Sequence, residues 1–163
     1  MSLTVVLIRH GLAKNKRLGE TDKERKLTKS GAAALEEWFP RALSLVDTTS
    51  ASELWVSDAV RARQTAEIAN KTLNIETYRE LPCLYAQDQE RFLDELSQTN
   101  ADVVVAVGHI PFMEDMFARL SGNFMGFGTG AVAAIELSDT SVRKISKGLV
   151  RGSLLWFLQG PLV

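Results

Sequence analysis

The sequence has one cysteine, two histidines and four prolines among its 163 residues. A single cysteine, Cys83, excludes an intrachain disulfide and favours a reducing compartment. No apolar run approaches the roughly 18 residues that a membrane-spanning helix needs. The formal net charge of −1 argues against a broad cationic surface for nucleic acid or an anionic membrane. Any anion must therefore be bound by a local cluster of side chains.

The first apolar run does not have the features of a targeting signal. Residues 3–8 are mostly apolar, but the run stops at Arg9 and has neither a basic lead-in nor a small-residue cleavage site. We therefore expect a cytoplasmic protein. The length and an apolar content of 45% fit one domain with a buried core, which we predict to span residues 1–163.

Short β-branched runs alternate with amphipathic segments through residue 120. The runs at residues 3–8 and 102–107 are typical of strands buried on both faces, as in a parallel sheet. Further strands are predicted at residues 53–56, 75–78, 131–137 and 154–158, with the last two at the edge of the sheet. This alternation predicts an α/β three-layer sandwich, with a mostly parallel central sheet and helices on both faces.

Polar residues and prolines indicate where the helices begin and end. Thr28 is predicted to cap the first helix, and Pro40 to kink or interrupt it. Ser57 or Asp58 would cap the helix that follows the second strand. Pro111 would occupy the first position of a later helix.

Both histidines follow predicted strands of the parallel sheet. His10 comes directly after the first strand, and His109 follows the strand at 102–107, one residue after Gly108. Ligands of open α/β sheets bind outside the carboxyl ends of the strands. One histidine at such a position is more often structural, but two at matching positions predict a shared functional site.

Two arginines fall at the same edge of the predicted sheet. Arg9 precedes His10, where a charge ending a buried strand has to leave the core or find a partner. Arg61 lies in the first turn of the helix after the second strand, beside exposed backbone N–H groups and the positive end of the helix dipole. Guanidinium groups bind phosphate oxygens in a planar, bidentate manner, so the pair indicates a phosphate site. Arg63 should point elsewhere, toward solvent.

Four blocks, in order along the chain, resemble signatures of the histidine phosphatase, or phosphoglycerate mutase-like, superfamily. Leu-Ile-Arg-His-Gly at residues 7–11 resembles its Arg-His-Gly motif, and Leu-Thr-Lys-Ser-Gly at 27–31 resembles its Leu-Thr-x-x-Gly motif. Ser-Asp-Ala-Val-Arg-Ala-Arg-Gln-Thr at 57–65 and Val-Gly-His at 107–109 are similar to two further motifs. The short chain has little room for a lid, and in this it is most similar to the small SixA-type phosphohistidine phosphatases.

The resemblance implies a phosphoglycerate mutase-like fold and a covalent phosphohistidine intermediate on His10, with no metal or cofactor. One ring nitrogen of His10 would be held by a backbone carbonyl near Gly11, and a protonated His109 would help to surround the phosphoryl oxygens. Thr28 is more simply explained as a helix cap, and Arg25 as a surface charge. The predicted phosphate-binding set is Arg9, Gly11, Arg25, Thr28, Arg61 and His109.

Many members of the superfamily protonate the leaving oxygen with a carboxylic acid in the loop after the third strand. At residues 81–88 no glutamate stands in that place; Cys83 is a candidate to fill it, and Glu80 and Asp88 lie nearby. A missing acid disfavours alkyl phosphates, whose leaving alkoxide needs a proton, and favours phosphoramidates such as phosphohistidine. We therefore expect a phosphohistidine-bearing protein of signal transduction as the substrate, with Glu80, Asp88 or solvent as the proton donor.

Two alternatives use the same residues. A small-molecule phosphomonoesterase would act on a phosphorylated metabolite, such as a sugar phosphate or a nucleotide. A catalytically weak module that binds phosphorylated proteins would belong to a different functional class, but binding alone would not need the nucleophile His10.

Overall fold

The β-branched runs form strands and the patterned segments between them form helices, in a computed structural model that describes residues 2–139, 145 and 150–162. The strands are β1 (Leu3–Arg9), β2 (Glu53–Val56), β3 (Thr77–Glu80), β4 (Val103–Gly108), β5 (Val132–Leu137) and β6 (Ser153–Leu158). The helices are α1 (Lys29–Ala42), α2 (Val60–Leu73), α3 (Pro82–Tyr85), α4 (Gln89–Gln98) and α5 (Phe112–Ser121). Short 3₁₀ turns lie at Asp22–Glu24 and Leu43–Leu45.

In the described part of the chain, the strands form one six-stranded sheet in the order β3-β2-β4-β1-β5-β6. Strands β3, β2, β4 and β1 are parallel, whereas β5 runs antiparallel to both β1 and β6. Because β1 and β4 are neighbours, Arg9 is paired with Gly108, and the residues that follow these strands emerge side by side. The predicted fold class, a mostly parallel α/β sheet, is confirmed.

Alternate side chains of the inner strands β1, β2, β4 and β5 enter two separate cores, which explains the three layers. On one face, Val6 and Ile8 pack with residues of α1 and α2, including Phe39. On the other face, Val5 and Leu7 pack with residues of α3, α4 and α5. Strands buried on both faces have continuously apolar sequences, and helices must cover both sides of the sheet.

The structure corrects the prediction that Pro40 interrupts the first helix. Helix α1 continues through Pro40 to Ala42, with Thr28 as its N-cap, as predicted. Pro40 lies in the last turn and is exposed, so its ring points away from the core and the helix ends only two residues later.

Other predicted boundaries shift for local reasons. Helix α2 begins at Val60 with Ala59 as its N-cap, and neither Ser57 nor Asp58 caps it. Pro111 is the N-cap of α5 instead of its first residue. The third strand starts at Thr77, two residues later than predicted.

The late start of β3 follows from how α2 ends. Asn74 adopts a left-handed conformation with φ of 53° at the C-cap of α2. The Asn70 side chain then binds both the N–H and the carbonyl of Ile75, so these groups are not available for the sheet. The prediction that β5 lies at the sheet edge is also wrong, because β6 pairs with its outer side.

Candidate functional site

The two histidines meet where β1 and β4 end. Their rings lie 5.1 Å apart between centroids with an interplanar angle of 57°. Both residues are buried, with exposures of 8% for His10 and 5% for His109. The pairing of Arg9 with Gly108 produces this contact, because each histidine is the next residue along its strand.

The ring of His10 is held by its own neighbour in the chain. Its Nδ1 lies 2.7 Å from the carbonyl oxygen of Gly11, so Nδ1 carries the proton and donates it to that bond. Nε2 is left with its lone pair and accepts a long, 3.4 Å hydrogen bond from Nε of Arg61. The N–H of Gly11 donates to the Thr65 hydroxyl, which fixes the peptide that holds the ring.

His10 is neutral at physiological pH. Burial is the largest cause that lowers its pKa from the ordinary 6.5 to about 3; the Gly11 carbonyl acts in the opposite direction, and the nearby His109, Arg61 and Arg9 add to the lowering. A histidine with a neutral ring, a fixed tautomer and an unprotonated Nε2 has the properties of a nucleophile.

His109 is held by Ser57, which follows β2. The Ser57 hydroxyl accepts the N–H of Ala59 and lies 2.7 Å from Nε2 of His109. A hydroxyl has one proton and two acceptor lone pairs, so Ser57 either donates to Nε2 or accepts from it, according to the tautomer of His109. The Nδ1 atom is buried and has no hydrogen-bond partner among the described residues.

His109 was expected to be protonated, but in the protein without a bound phosphoryl group it is neutral. Burial first, and then Arg61, lower its pKa to about 4, so the ring is neutral at pH 7. A neutral His109 still offers one N–H donor, which lies at Nδ1 when Ser57 donates to Nε2.

Arg9 leaves the end of β1 and is held by the loop at residues 122–130. Its Nη1 donates to the carbonyl of Phe127 at 2.7 Å, and the N–H of Phe127 donates to a carboxylate oxygen of Glu114 at 2.8 Å. Burial lowers the pKa of Arg9, and the nearby Glu114 raises it. The Nε atom of Arg9 is buried without a partner among the residues described.

Arg61 is 5% exposed and is held by Asp22. Its Nη1 donates to the Asp22 carbonyl at 2.8 Å, and its Nη2 donates to the Asp22 carboxylate at 3.0 Å. The phenol of Tyr85 donates to the same carboxylate at 2.8 Å, and its ring meets the His109 ring edge-on at 5.5 Å. Sequence reasoning missed both Asp22 and Tyr85.

Three further predicted phosphate-binding residues make contacts with protein groups. Arg25 donates to Asp22 and to the carbonyl of Lys14. The Thr28 hydroxyl accepts the N–H of Gly31 as the cap of α1. The N–H and carbonyl of Gly11 hold Thr65 and His10, so we assign Gly11 to shaping the site.

The three candidates for a proton donor lie away from the histidines. Glu80 pairs with Arg63 at the surface, and Asp88 caps α4. Cys83 is buried, and burial raises the pKa of its thiol to about 11. Arg63 points to the surface, as expected from its position two residues after Arg61.

The chain belongs to the histidine phosphatase superfamily, because the model of branch 1 of that superfamily matches residues 5–88, just over half of the chain. This membership places it among the phosphatases, which are hydrolases. No curated protein matches the sequence.

Solved structures with this fold cover nearly the whole chain. A provisionally assigned phosphohistidine phosphatase SixA from Nakamurella multipartitia is 20% identical and covers 100% of this chain and 98% of its own, with a TM-score of 0.80. A second provisionally assigned SixA, from Agrobacterium tumefaciens, is 26% identical and covers 96% and 97%, with a TM-score of 0.76. A mycobacterial glucosyl-3-phosphoglycerate phosphatase is 13% identical and covers 99% and 100%, with a TM-score of 0.68.

Within the described ranges, no three His, Cys, Asp or Glu side chains gather in a way that could hold a metal ion. Among the helices that the structure describes, none has the length and apolar character needed to span a bilayer.

Proposed function

We propose that the chain is a phosphatase in which Nε2 of His10 attacks phosphorus and forms a covalent phosphohistidine. The observation that carries this proposal is the 2.7 Å contact from Nδ1 of His10 to the Gly11 carbonyl. That contact leaves the lone pair on Nε2, beside Arg61 and His109. A neutral, oriented imidazole can attack without first losing a proton.

The reaction proceeds in two displacements. In the first, the Nε2 lone pair forms a bond to phosphorus, and the bond from phosphorus to the leaving group breaks, with its electron pair going to the leaving group. The phosphorylated ring keeps its proton on Nδ1, where the Gly11 carbonyl stabilises the added positive charge. In the second, water attacks phosphorus, the N–P bond breaks, and its electrons return to Nε2.

The oxygens of the phosphoryl group would bind three nitrogens of the site. Nε of Arg9 and Nδ1 of His109 are buried and have no partners among the described residues, and buried polar groups are rarely unpaired. Nδ1 of His109 donates in the tautomer in which Ser57 donates to Nε2. Nε of Arg61 is the third donor, and its long contact to Nε2 of His10 would be exchanged for a phosphoryl oxygen. Donors fixed in advance around a transferred group stabilise its developing charge.

The proposed substrate is phosphohistidine on a partner protein. The candidate carboxyl groups are engaged with other groups: Glu80 pairs with Arg63, Asp88 caps α4, and Asp22 is held ionised by three donors. The leaving imidazole of a phosphohistidine needs little help, because its nitrogen is already protonated or readily becomes so. The structural likeness to two SixA proteins supports this substrate class.

The nucleophile is tested with His10→Ala on an aryl phosphate. The variant should lose turnover completely while its unfolding temperature stays close to that of the wild type, since His10 lies at a strand end and not within a core cluster. Turnover retained by the variant would refute the assignment.

The substrate class is tested with the wild type on a phosphohistidine peptide, a sugar phosphate and a nucleotide. We expect the largest kcat/KM on the phosphohistidine peptide. A clear preference for the sugar phosphate or the nucleotide would replace the proposed substrate with a phosphorylated metabolite while leaving the role of His10 in place.

A further inference from the structure

The backbone and side chain of one loop residue hold both terminal nitrogens of Arg61. The carbonyl oxygen of Asp22 accepts from Nη1 at 2.8 Å, and its carboxylate accepts from Nη2 at 3.0 Å. The third nitrogen, Nε, is then turned toward Nε2 of His10 at 3.4 Å. Asp22 therefore occupies one edge of the guanidinium and leaves another edge to the attacking atom.

Asp22 holds Arg61 as a permanent anion. Burial acts to raise its pKa, but hydrogen bonds from Arg25, Tyr85 and Arg61 outweigh that effect and lower the pKa well below its usual range. The donors lie at 2.9 Å for Arg25, 2.8 Å for Tyr85 and 3.0 Å for Arg61. An ionised carboxylate at neutral pH cannot act as a proton donor. Its remaining roles are to orient Arg61 and to repel anions.

The turn that carries Asp22 is anchored on both sides. Lys23 forms a 2.7 Å ion pair with Asp58 and lies over the Tyr85 ring, 4.9 Å from its centroid. On the other side, Nε of Arg25 donates to the Lys14 carbonyl at 2.8 Å. The contact between Asp22 and Arg61 is thus part of a connected set of bonds and not an isolated surface pair.

We propose that Asp22 is a positioning residue that directs the Nε edge of Arg61 at the phosphoryl group during attack by His10. Its negative charge also keeps inorganic phosphate from binding to the two terminal nitrogens, a non-productive arrangement that would slow turnover. This inference rests on the proposed phosphatase function.

The test compares Asp22→Asn and Asp22→Ala with Glu20→Gln. Glu20 lies in the same loop and accepts from the backbone N–H of Arg17, so its variant removes the same charge without touching Arg61. For both Asp22 variants we expect kcat on an aryl phosphate to fall about tenfold, since misplacing one preorganised donor costs less than deleting it. Inhibition by inorganic phosphate should become stronger, because Nη2 loses its anionic partner, although the backbone carbonyl of residue 22 still accepts from Nη1. Glu20→Gln should match the wild type in both measurements.

A lower kcat together with a higher affinity for inorganic phosphate distinguishes the loss of a positioning residue from general damage to the site. A misfolded or loosened site would lose kcat and phosphate affinity together. A kcat within about twofold of the wild type, or weaker phosphate inhibition in the Asp22 variants, would overturn the inference. If the wild type itself forms no phosphoenzyme, the proposed function fails; if it does and Asp22→Asn behaves like it, only the role of Asp22 fails.

Discussion

The floor of the site, formed by His10, Ser57 and His109 at three strand ends, differs in construction from its wall, formed by the Asp22–Glu24 turn, Tyr85 and the loop at residues 122–130. Register fixes the floor: Arg9 pairs with Gly108, and Val56 pairs with Val107. The wall is assembled from loop contacts between residues that are distant in sequence. Its positions depend on individual hydrogen bonds.

The two arginines connect these parts. Arg9 extends from β1 and is held by Phe127, and Arg61 extends from α2 and is held by Asp22. The floor therefore supplies neutral imidazoles, while the wall decides where the cationic groups point. Substitutions in the floor should abolish the chemistry, and substitutions in the wall should impair it by degrees.

After the complete loss expected for His10→Ala, the largest effect is expected where an arginine that joins floor and wall is removed. Arg61→Ala should lower kcat/KM about 10²–10³-fold, because it deletes a preorganised donor. Arg63→Ala is the matched control, since Arg63 lies two residues along α2 and pairs with Glu80 at the surface. Steady-state kinetics on an aryl phosphate measures both; similar losses for the two variants would mean that Arg61 has no special place in the site.

The first turn of α1, which follows the loop that carries Asp22, should be destabilised by a larger side chain at Gly31. A Cβ at Gly31 would lie 2.4 Å from the backbone oxygen of Leu12 and 2.9 Å from the Thr28 hydroxyl. Alanine favours helix by about 1 kcal/mol, but a backbone oxygen cannot move aside as a side chain can. We expect Gly31→Ala to lower the free energy of unfolding by about 1–3 kcal/mol.

Denaturant unfolding measures this change, with Ser30→Ala as the control at the neighbouring exposed position. Stability of Gly31→Ala within about 0.5 kcal/mol of the Ser30→Ala variant would show that the junction accommodates the added methyl group.

A smaller effect is expected from the residue that holds the loop under Arg9. Glu114→Ala removes the acceptor of the Phe127 N–H and should lower kcat/KM by up to about tenfold, because Arg9 shifts with the loop. Glu114→Gln keeps an oxygen acceptor and should recover part of the loss. Asp115→Asn, at the next and exposed position, should be silent; a loss there equal to that of Glu114→Ala would assign the effect to charge in general.

The smallest effect is expected from changing the pH between 5 and 7, which should leave kcat/KM almost unchanged. With pKa values of about 3 for His10 and about 4 for His109, both rings are neutral across that range. Since kcat/KM reports groups of the free enzyme, its pH profile should show no step near 6.5 after correction for ionisation of the substrate. Such a step would mean that a floor histidine titrates normally.

The same shifts predict how stability depends on pH. The folded pKa of each floor histidine lies below the unfolded value of 6.5, so the unfolded chain binds more protons between about pH 4 and 6.5. The stabilisation is complete above pH 6.5 and is lost as the pH falls. His10→Ala should show a weaker dependence in urea unfolding; a dependence equal to that of the wild type would contradict burial of a neutral His10.

The two histidines of the floor could be predicted from sequence because their positions depend on short-range rules. His10 and His109 each follow a buried strand, and parallel strands end at one edge of a sheet. The wall could not be predicted, because its hydrogen bonds join residues far apart in sequence, Asp22 to Tyr85 and Arg9 to Phe127, in loops whose sequences have no periodic pattern. One signal was available for Asp22: its position three residues before Arg25, a spacing at which two side chains can pair.

The predictions for helix ends were wrong where a side chain binds a residue of the site or lies at the surface. Ser57 or Asp58 was predicted to cap α2, but the Ser57 hydroxyl binds His109. Pro40 was predicted to kink or interrupt α1, but the helix continues through it to Ala42, and Pro40 lies in an exposed last turn. Local propensity describes neither situation, because both depend on what surrounds the residue in the folded chain.

The central claim is that His10 becomes phosphorylated during turnover. Rapid alkaline quenching of the wild type with an aryl phosphate, followed by mass spectrometry of its peptides, should find one phosphoryl group on His10. His10→Ala should carry none under the same conditions. A phosphoryl group on another residue, or turnover by the wild type with no phosphoenzyme at any quench time, would contradict the account.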